Sequence, residues 1–283
     1  MYIYKSDMPE EFTQYSRARF VVVPVPYEKT TSYGKGTKDG PRALCEASSQ
    51  VELYDEELGI EPYHSGIHTI KPVDSLEKLE TTVEKLLSDK KIPIILGGEH
   101  TVSAPPIRAC KKAFPNLSVV HFDAHADLRD EYEGTRLSHA CVMRRVYDAN
   151  VPFVQIGIRS HSVEEAKFIK ESRIHKPFYA HEIHSSDKWM DETLKLLTDN
   201  VYLTFDVDAF DPSFMPSTGT PEPGGMRWHQ VTEFFRRLAS AKRIVGADFV
   251  ELAPRKNEPA PDFAVARLVY KLIGYIYFPS NFS

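Results

Sequence analysis

The stretch Val119-Val-His-Phe-Asp-Ala-His-Ala-Asp127 is a short apolar run that leads directly into three metal-ligating side chains spaced two residues apart. These side chains are Asp123, His125 and Asp127. Alternate side chains of an extended backbone point in the same direction, so this spacing can aim all three groups at one point as a strand leaves a sheet. The stretch therefore predicts a buried strand that ends at a metal site.

Two further places in the chain repeat this arrangement. The apolar run 201–205 leads into Asp206 and Asp208, and the run 92–96 is followed closely by His100. A single aspartate at a strand end is most simply a turn residue. Four carboxylates and two imidazoles at three predicted strand ends instead favour a metal site, and six such ligands suit two ions better than one.

Short apolar or β-branched runs alternate with helical patterns along the chain. About eight strands are predicted, over residues 20–25, 66–70, 92–96, 117–123, 153–158, 176–180, 201–206 and 243–252. Helices are predicted over 75–87, 163–172, 192–198, 228–239 and 262–275, the first with a capping box formed by Asp74 and Glu77.

This alternation predicts an α/β fold with three layers, α/β/α, built around a mainly parallel sheet. The chain has no linker, repeat or low-complexity tract, so residues 1–283 are predicted to form a single domain. In sheets of this kind, ligands bind beyond the carboxyl ends of the strands. All six ligand candidates lie at such predicted ends, so the fold and the metal site are mutually consistent predictions.

The composition argues against several functional classes. With a net charge of −5 and no Lys/Arg tract longer than a pair, the chain predicts neither a nucleic-acid partner nor a membrane partner. Its three cysteines lack any CxxC spacing, which argues against disulfides and thiolate zinc and predicts a reducing, cytoplasmic setting. The first residues do not read as a signal peptide, and no apolar run approaches the ~18 residues of a membrane span.

The ligand set is rich in carboxylates and lacks thiolates. Such a set suits a hard or borderline divalent ion better than a structural Zn²⁺, so Mn²⁺ is the expected ion. Two bridging aspartates would hold two ions ~3.5 to 4 Å apart, and a water molecule shared at that separation has its pKa lowered towards ~7. The sequence thus predicts a hydroxide nucleophile near neutral pH.

Seven motifs follow one another in order along nearly the whole chain. They are Tyr33-Gly-Lys-Gly-Thr-Lys-Asp-Gly-Pro-Arg42, Gly97-Gly-Glu-His100, Asp123-Ala-His-Ala-Asp127, Ser138-His139, Asp206-Val-Asp-Ala-Phe-Asp-Pro212, Gly219-Thr-Pro-Glu-Pro-Gly-Gly225 and Asp248-Phe-Val-Glu251. This set resembles the ureohydrolase family, which contains the arginases and agmatinases. The resemblance implies a single parallel-sheet α/β/α domain that uses two Mn²⁺ ions to hydrolyse a guanidino compound to urea and an amine.

The resemblance also implies a role for each residue of the predicted site. One ion would be held by His100, Asp123, Asp127 and Asp206. The other would be held by Asp123, His125, Asp206 and Asp208, so that Asp123 and Asp206 bridge the two. The implied catalytic residues are Asp127, His139 as a proton shuttle with a pKa near ~6.5, and Glu251 as the partner of the substrate guanidinium. Self-association into a trimer or hexamer is expected on the same basis.

The segment Leu128-Arg-Asp-Glu-Tyr-Glu133 bears on the identity of the substrate. Family members that act on arginine carry an Asn- and Ser/Thr-rich segment here, which binds the α-carboxylate. Three carboxylates in this segment would repel that group and attract a distal amine, although Arg129 opposes this and a solvated loop is the alternative reading. With the 219–225 motif, this resembles the agmatinase branch and predicts hydrolysis of agmatine to putrescine and urea. Aminopropylagmatine, guanidinobutyrate and arginine remain alternative substrates. The alternative to an enzyme is a non-catalytic protein that serves as an assembly subunit.

Other polar residues beside the motifs are predicted to have supporting roles. His121 lies inside an apolar run and is expected to be a hydrogen-bonded buried residue, not a ligand. Glu99 is expected to orient its neighbours, and Asp211, which precedes Pro212, is expected to form a turn. The remaining histidines without ligand spacing are predicted to be surface or loop residues, namely His161, His175, His181, His184 and His229.

Overall fold

The computed structural model of the protein describes residues 3–4, 8–172 and 174–278. Its sheet has eight strands: β1 Phe20–Val25, β2 Ile67–Thr69, β3 Ile92–Gly97, β4 Leu117–Phe122, β5 Phe153–Ile158, β6 Phe178–Tyr179, β7 Asn200–Asp206 and β8 Arg243–Val250. Their order is β2-β1-β3-β8-β7-β4-β5-β6, and every pairing between them is parallel. The predicted α/β fold with a parallel sheet is therefore confirmed.

Helices cover both faces of the sheet. They are α1 Gly40–Ser48, α2 Leu76–Ser88, α3 Ala104–Ala113, α4 Val142–Asp148, α5 Val163–Glu171, α6 Ala180–Ile183, α7 Lys188–Leu196, α8 Trp228–Ala241 and α9 Ala260–Tyr277. Phe20 and Val22 of β1 pack in one core with Phe234 of α8, whereas Val21 packs in the other with Leu79 of α2. Strands that are buried on both faces read as continuous apolar runs, which is why the sequence reveals them.

Three helices of seven or more residues were not predicted, each for a local reason. Helix α3 begins Ala104-Pro-Pro106, and proline is tolerated in the first turn of a helix because the first N–H groups have no partner inside it. Helix α4 has only seven residues, too few to show a helical period. Helix α1 begins with Gly40-Pro41, which reads as a loop in the sequence.

The predicted capping box of α2 is wrong. The N-cap is Ser75, whose hydroxyl accepts a hydrogen bond of 3.2 Å from the Lys78 backbone N–H. Ser75 has the extended backbone that an N-cap requires. Asp74 instead binds the Lys78 ammonium group at 2.8 Å.

Two predicted strands end earlier than expected, and this matters for the site. Strand β4 ends at Phe122 and β8 ends at Val250, so Asp123 and Glu251 follow their strands directly. The strand predicted over 176–180 is reduced to Phe178–Tyr179. Among the described residues, no helix combines the length and apolar character that crossing a bilayer would require.

Candidate metal centre

The polar residues that end or follow four adjacent central strands converge at one edge of the sheet. The order β3-β8-β7-β4 brings together His100, Glu251, Asp206 and Asp123, although they are far apart in sequence. Parallel strands carry all of their carboxyl ends to the same edge, so each of these side chains reaches the same crevice.

The first of two groups of side chains surrounds His100. Its Nδ1 atom lies 3.1 Å from Asp123 Oδ2, 3.1 Å from Asp127 Oδ2 and 3.4 Å from Asp206 Oδ2. One imidazole nitrogen therefore faces three carboxylate oxygens. His100, Asp123 and Asp127 are close enough together, with His121, to hold a metal ion.

The second group surrounds His125 and shares Asp123 with the first. His125 Nδ1 lies 3.0 Å from Asp208 Oδ2 and 3.4 Å from Asp123 Oδ1. Asp123 thus turns one oxygen towards each histidine. All six ligand candidates from the sequence are brought together in two adjoining groups.

The contacts among these residues leave their negative charge unbalanced, and metal ions would balance it. Among the described residues, the buried Nδ1 of His100 has no hydrogen-bond partner, even though three carboxylates are close to it. Burial and the charge of Asp123 raise the pKa of Asp127 to about 7, and burial also raises the pKa of Asp206 well above its usual value. Buried carboxylates short of positive charge are costly. Divalent cations would relieve this deficit, and a set of carboxylates with two imidazoles suits them.

Two residues of the site adopt backbone conformations that are uncommon for residues other than glycine. Asp127 has φ 53° and Glu251 has φ 64°. Such strained residues concentrate at functional sites, where the surrounding structure holds them in place. The Glu251 N–H donates to the Gly98 carbonyl at 2.8 Å, and its carboxylate accepts a 2.7 Å hydrogen bond from the His100 N–H. Burial, together with the charges of Glu99 and Asp208, raises the pKa of Glu251 to about 8.

Gly98, directly before Glu99, allows a close approach of two loops. A Cβ atom on Gly98 would lie 2.0 Å from the Tyr27 carbonyl oxygen, so no larger residue fits there. The same carbonyl accepts the Glu99 N–H at 2.9 Å. This contact joins the end of β3 to the loop after β1.

Glu99 is a structural anchor for that loop, in line with its predicted supporting role. Its Oε2 accepts from the N–H groups of Lys29 and Thr30 at 2.6 and 2.7 Å, and its Oε1 accepts from the hydroxyls of Thr30 and Thr101 at 2.8 Å. The Thr30 oxygen also lies 3.1 Å from the His139 backbone N and 3.3 Å from its Nδ1. Thr30 therefore links Glu99 to His139, a role that no sequence motif signals.

His121 is buried and hydrogen-bonded, as expected, but it also lies close enough to Asp123 and Asp127 to be a possible ligand of the first group. Its Nε2 lies 2.9 Å from Asp123 Oδ2, and Gln155 Nε2 lies 3.0 Å from its Nδ1. Both ring nitrogens are thus engaged in hydrogen bonds behind the ligand cluster. Gln155 was not predicted, because its position within an apolar strand carries no motif.

Two loops pack against each other beside the site. Asp211 accepts from the N–H groups of Gly224 and Gly225 at 2.8 and 3.1 Å. Its Oδ1 also accepts from the Ser213 N–H at 3.0 Å, which confirms the predicted turn. The Gly34 N–H donates to the Gly219 carbonyl at 3.2 Å, and a Cβ atom on Gly34 would lie 2.6 Å from Gly219 Cα. The loop that contains Gly34 and the 219–225 loop can be this close because Gly34 has no Cβ atom.

A cavity of about 310 Å³ opens onto the ligand cluster. It is also lined by Glu251 and His139, and further out by Tyr33, His161 and Glu165. Both Glu165 oxygens accept backbone hydrogen bonds, from Leu128 at 2.9 Å and from Ser162 at 2.8 Å.

The three carboxylates of the 128–133 segment do not line the cavity, which agrees with the alternative reading of a solvated loop. Asp130 is paired with Arg136 at 2.8 Å and with Arg145 at 2.6 Å, and neither Glu131 nor Glu133 is among the residues that line the cavity. Arg129 and Tyr132 line it instead. The positive side chains that neutralise Asp130 come from outside the segment, so inspection of the segment alone does not reveal them.

Comparison with known proteins agrees with this geometry. The family model described as the arginase family matches residues 18–274. An N(1)-aminopropylagmatine ureohydrolase of Synechocystis is 42% identical, with 94% of this chain and 92% of that protein covered. An agmatinase of Halalkalibacterium halodurans is 35% identical, with 93% and 94% covered. The crystal structure of the agmatine ureohydrolase of Thermoplasma volcanium superposes with a TM-score of 0.83 at 31% identity, covering 93% of this chain and 91% of that one. The chain therefore belongs to the arginase family of ureohydrolases.

Proposed function

We propose that this protein uses two divalent metal ions, Mn²⁺ first among them, to release urea from a guanidine that carries a positively charged amine. The observation that carries this proposal is the pair of ligand groups that share Asp123, with the unpartnered Nδ1 of His100 in their midst. Four buried aspartates beside two histidines have little structural value without cations to neutralise them.

Six residues would hold the two ions. They are His100, Asp123, Asp127 and Asp206 for one ion, and Asp123, His125, Asp206 and Asp208 for the other. When bound, such a pair of ions supplies a water molecule activated for attack at neutral pH.

Glu251 would bind and orient the substrate. A planar guanidinium cation is best matched by a carboxylate, and the Glu251 carboxylate faces the same cavity as the ligand cluster. Its contact with the His100 N–H fixes its position relative to the ligands.

His139 would move the proton that the leaving amine needs. The Thr30 hydroxyl donates to Glu99, so its oxygen is free to accept the Nδ1–H of His139 at 3.3 Å. This arrangement leaves the Nε2 of His139 to exchange a proton in the cavity. Burial lowers the pKa of His139, which favours the neutral form that can take up a proton.

The substrate we favour is N(1)-aminopropylagmatine, with agmatine as the second candidate. The sequence motifs alone point to agmatine, but the Synechocystis relative is more similar to this chain than the agmatinase of H. halodurans. Both compounds are guanidines with positive charge and no carboxylate. The Glu251 carboxylate in the lining of the cavity suits the guanidinium group of either compound.

A substrate panel tests this proposal. After loading with Mn²⁺, urea release would be measured from N(1)-aminopropylagmatine, agmatine, guanidinobutyrate and arginine. We expect kcat/KM for the first two compounds to exceed that for the last two by at least about a hundredfold, because placing like charges together costs several kcal/mol. Release of urea chiefly from arginine or guanidinobutyrate would overturn the substrate class, and no urea from any compound would overturn the hydrolase.

His139→Asn is expected to keep its metal ions but to lower kcat by ~10² to 10⁴, the usual contribution of a general acid or base. Metal content and kcat would be measured together, with His175→Asn, the same change at an exposed loop position, as the control. An unchanged rate between about pH 6 and 9 would show that His139 is not the proton shuttle.

A further inference from the structure

A chain of buried hydrogen bonds lies behind His100, on the opposite side of the ring from the carboxylates. His100 Nε2 lies 2.9 Å from Thr204 Oγ1, and the Thr204 hydroxyl donates to Asp248 Oδ1 at 2.7 Å. The three side chains are almost inaccessible to solvent, with exposures of 1%, 0% and 0%. We propose that Thr204 and Asp248 are positioning residues that fix the tautomer and the ring orientation of His100 for metal binding.

The direction of these hydrogen bonds follows from the number of protons. The Thr204 hydroxyl has one hydrogen, and the carboxylate of Asp248 can only accept it. The oxygen of Thr204 must then accept the Nε2–H of His100. Ser103 Oγ lies 3.3 Å from the Thr204 oxygen, a longer contact and hence a weaker competitor for that hydrogen.

This tautomer leaves Nδ1 of His100 without a proton. In the described part of the chain that nitrogen has no hydrogen-bond partner, and it faces Asp123 and Asp127 at 3.1 Å. A metal ion binds only the unprotonated nitrogen of an imidazole. The hydrogen bonds behind the ring thus prepare the opposite side to act as a ligand, an inference that rests on the proposed metal centre.

The sheet itself holds the two positioning residues in place. Thr204 of β7 and Asp248 of β8 are directly paired in the parallel register, so their side chains lie side by side on the same face. Each is a polar residue between two apolar neighbours in its strand. Burying a carboxylate there costs free energy. The positioning of His100 would explain why a carboxylate is nevertheless buried at this position.

Thr204→Val is the sharpest test because it keeps the shape of the side chain and removes the hydroxyl. We expect the affinity of the metal-free protein for Mn²⁺, measured by isothermal titration calorimetry, to fall by ~10- to 100-fold, as is usual when an outer hydrogen-bond partner of a ligand is lost. Thr204→Ser retains the hydroxyl and should bind Mn²⁺ within about threefold of the parent protein.

A matched control is Thr69→Val, which makes the same change at a buried position on β2, three strands away from β8. The Thr69 hydroxyl accepts the Ile3 N–H and does not contact the site. Mn²⁺ affinity should be unchanged in this variant. Circular dichroism would verify that each variant is folded.

Several outcomes would overturn the inference. Thr204→Val binding Mn²⁺ as tightly as the parent would do so, and so would an equal loss in Thr204→Ser, because the hydroxyl would then not be the cause. Should Thr204→Val fail to fold, Asp248→Asn would replace it. Weaker Mn²⁺ binding in Asp248→Asn would support the inference, and unchanged binding would overturn it.

The same titrations separate this inference from the proposed function. A parent protein that binds Mn²⁺ but releases no urea would contradict the hydrolase, while the affinities of the variants would still decide the role of Thr204. A parent protein that binds no Mn²⁺ would overturn both the metal centre and the positioning role.

Discussion

Asp123→Asn is expected to lose both metal ions and at least about a thousandfold in urea release, equivalent to ~4 kcal/mol of transition-state stabilisation. Asp123 places Oδ2 3.1 Å from His100 Nδ1 and Oδ1 3.4 Å from His125 Nδ1, so it belongs to both ligand groups. Asparagine keeps the shape but offers one oxygen and an NH₂ group, which repels a cation. The effect should therefore extend to both sites.

The charge state of Asp123 supports this expectation. Burial alone raises its pKa, but hydrogen bonds to neighbouring histidines, among them His121 and His125, more than offset burial and hold the pKa well below its usual value. The carboxylate is thus ionised and ready to bind a cation. Asparagine cannot supply this charge at any pH.

Metal per chain would be measured by elemental analysis, alongside the thermal shift on adding Mn²⁺. A ligand present at 100 times its Kd stabilises the folded state by ~2.7 kcal/mol, so the parent should show a clear rise in Tm and Asp123→Asn little or none. Asp199→Asn, at the opposite end of the sheet beside β7, should behave like the parent. Two ions per chain in Asp123→Asn would contradict the shared role of Asp123.

The sequence predicts most of the sheet because of where the strands lie. Runs such as Phe20–Val25 and Phe153–Ile158 are buried on both faces, so nearly every residue is apolar and the strand bounds can be read directly. Strand order cannot be read in this way. The placement of β8 and β7 between β3 and β4 depends on long-range pairing, and it is this order that brings Glu251 beside His100.

In the candidate site too, residues in local motifs were predicted and residues that act through long-range contacts were not. The six ligand candidates stand at strand ends in short motifs, and the structure brings all of them together. Thr30, Gln155 and Thr204 were not predicted, since each acts through a hydrogen bond to a residue at least 34 positions away. The reading of the 128–133 segment stayed open for the same reason, because the arginines that neutralise Asp130 lie outside it.

Glu251→Gln is the second variant with a large expected effect, a loss of about 10² to 10³ in kcat/KM for N(1)-aminopropylagmatine and agmatine, equivalent to ~2.7 to 4 kcal/mol. The amide oxygen of glutamine can still accept the His100 N–H that Glu251 binds at 2.7 Å, so the local fold should be retained. What is lost is the negative charge opposite the guanidinium. Truncating one partner of a buried charge pair typically costs ~2 to 5 kcal/mol.

Metal content distinguishes this role from that of a ligand. Glu251 is not among the six proposed ligands, so Glu251→Gln should retain two ions per chain while kcat/KM falls, and Glu46→Gln on the exposed side of α1 should change neither. Loss of metal in Glu251→Gln would instead make Glu251 part of the metal centre. An unchanged kcat/KM would mean that the guanidinium binds elsewhere in the cavity. Burial raises the pKa of the unpaired Glu251 carboxylate, and only a cation bound directly beside it would benefit from its negative charge.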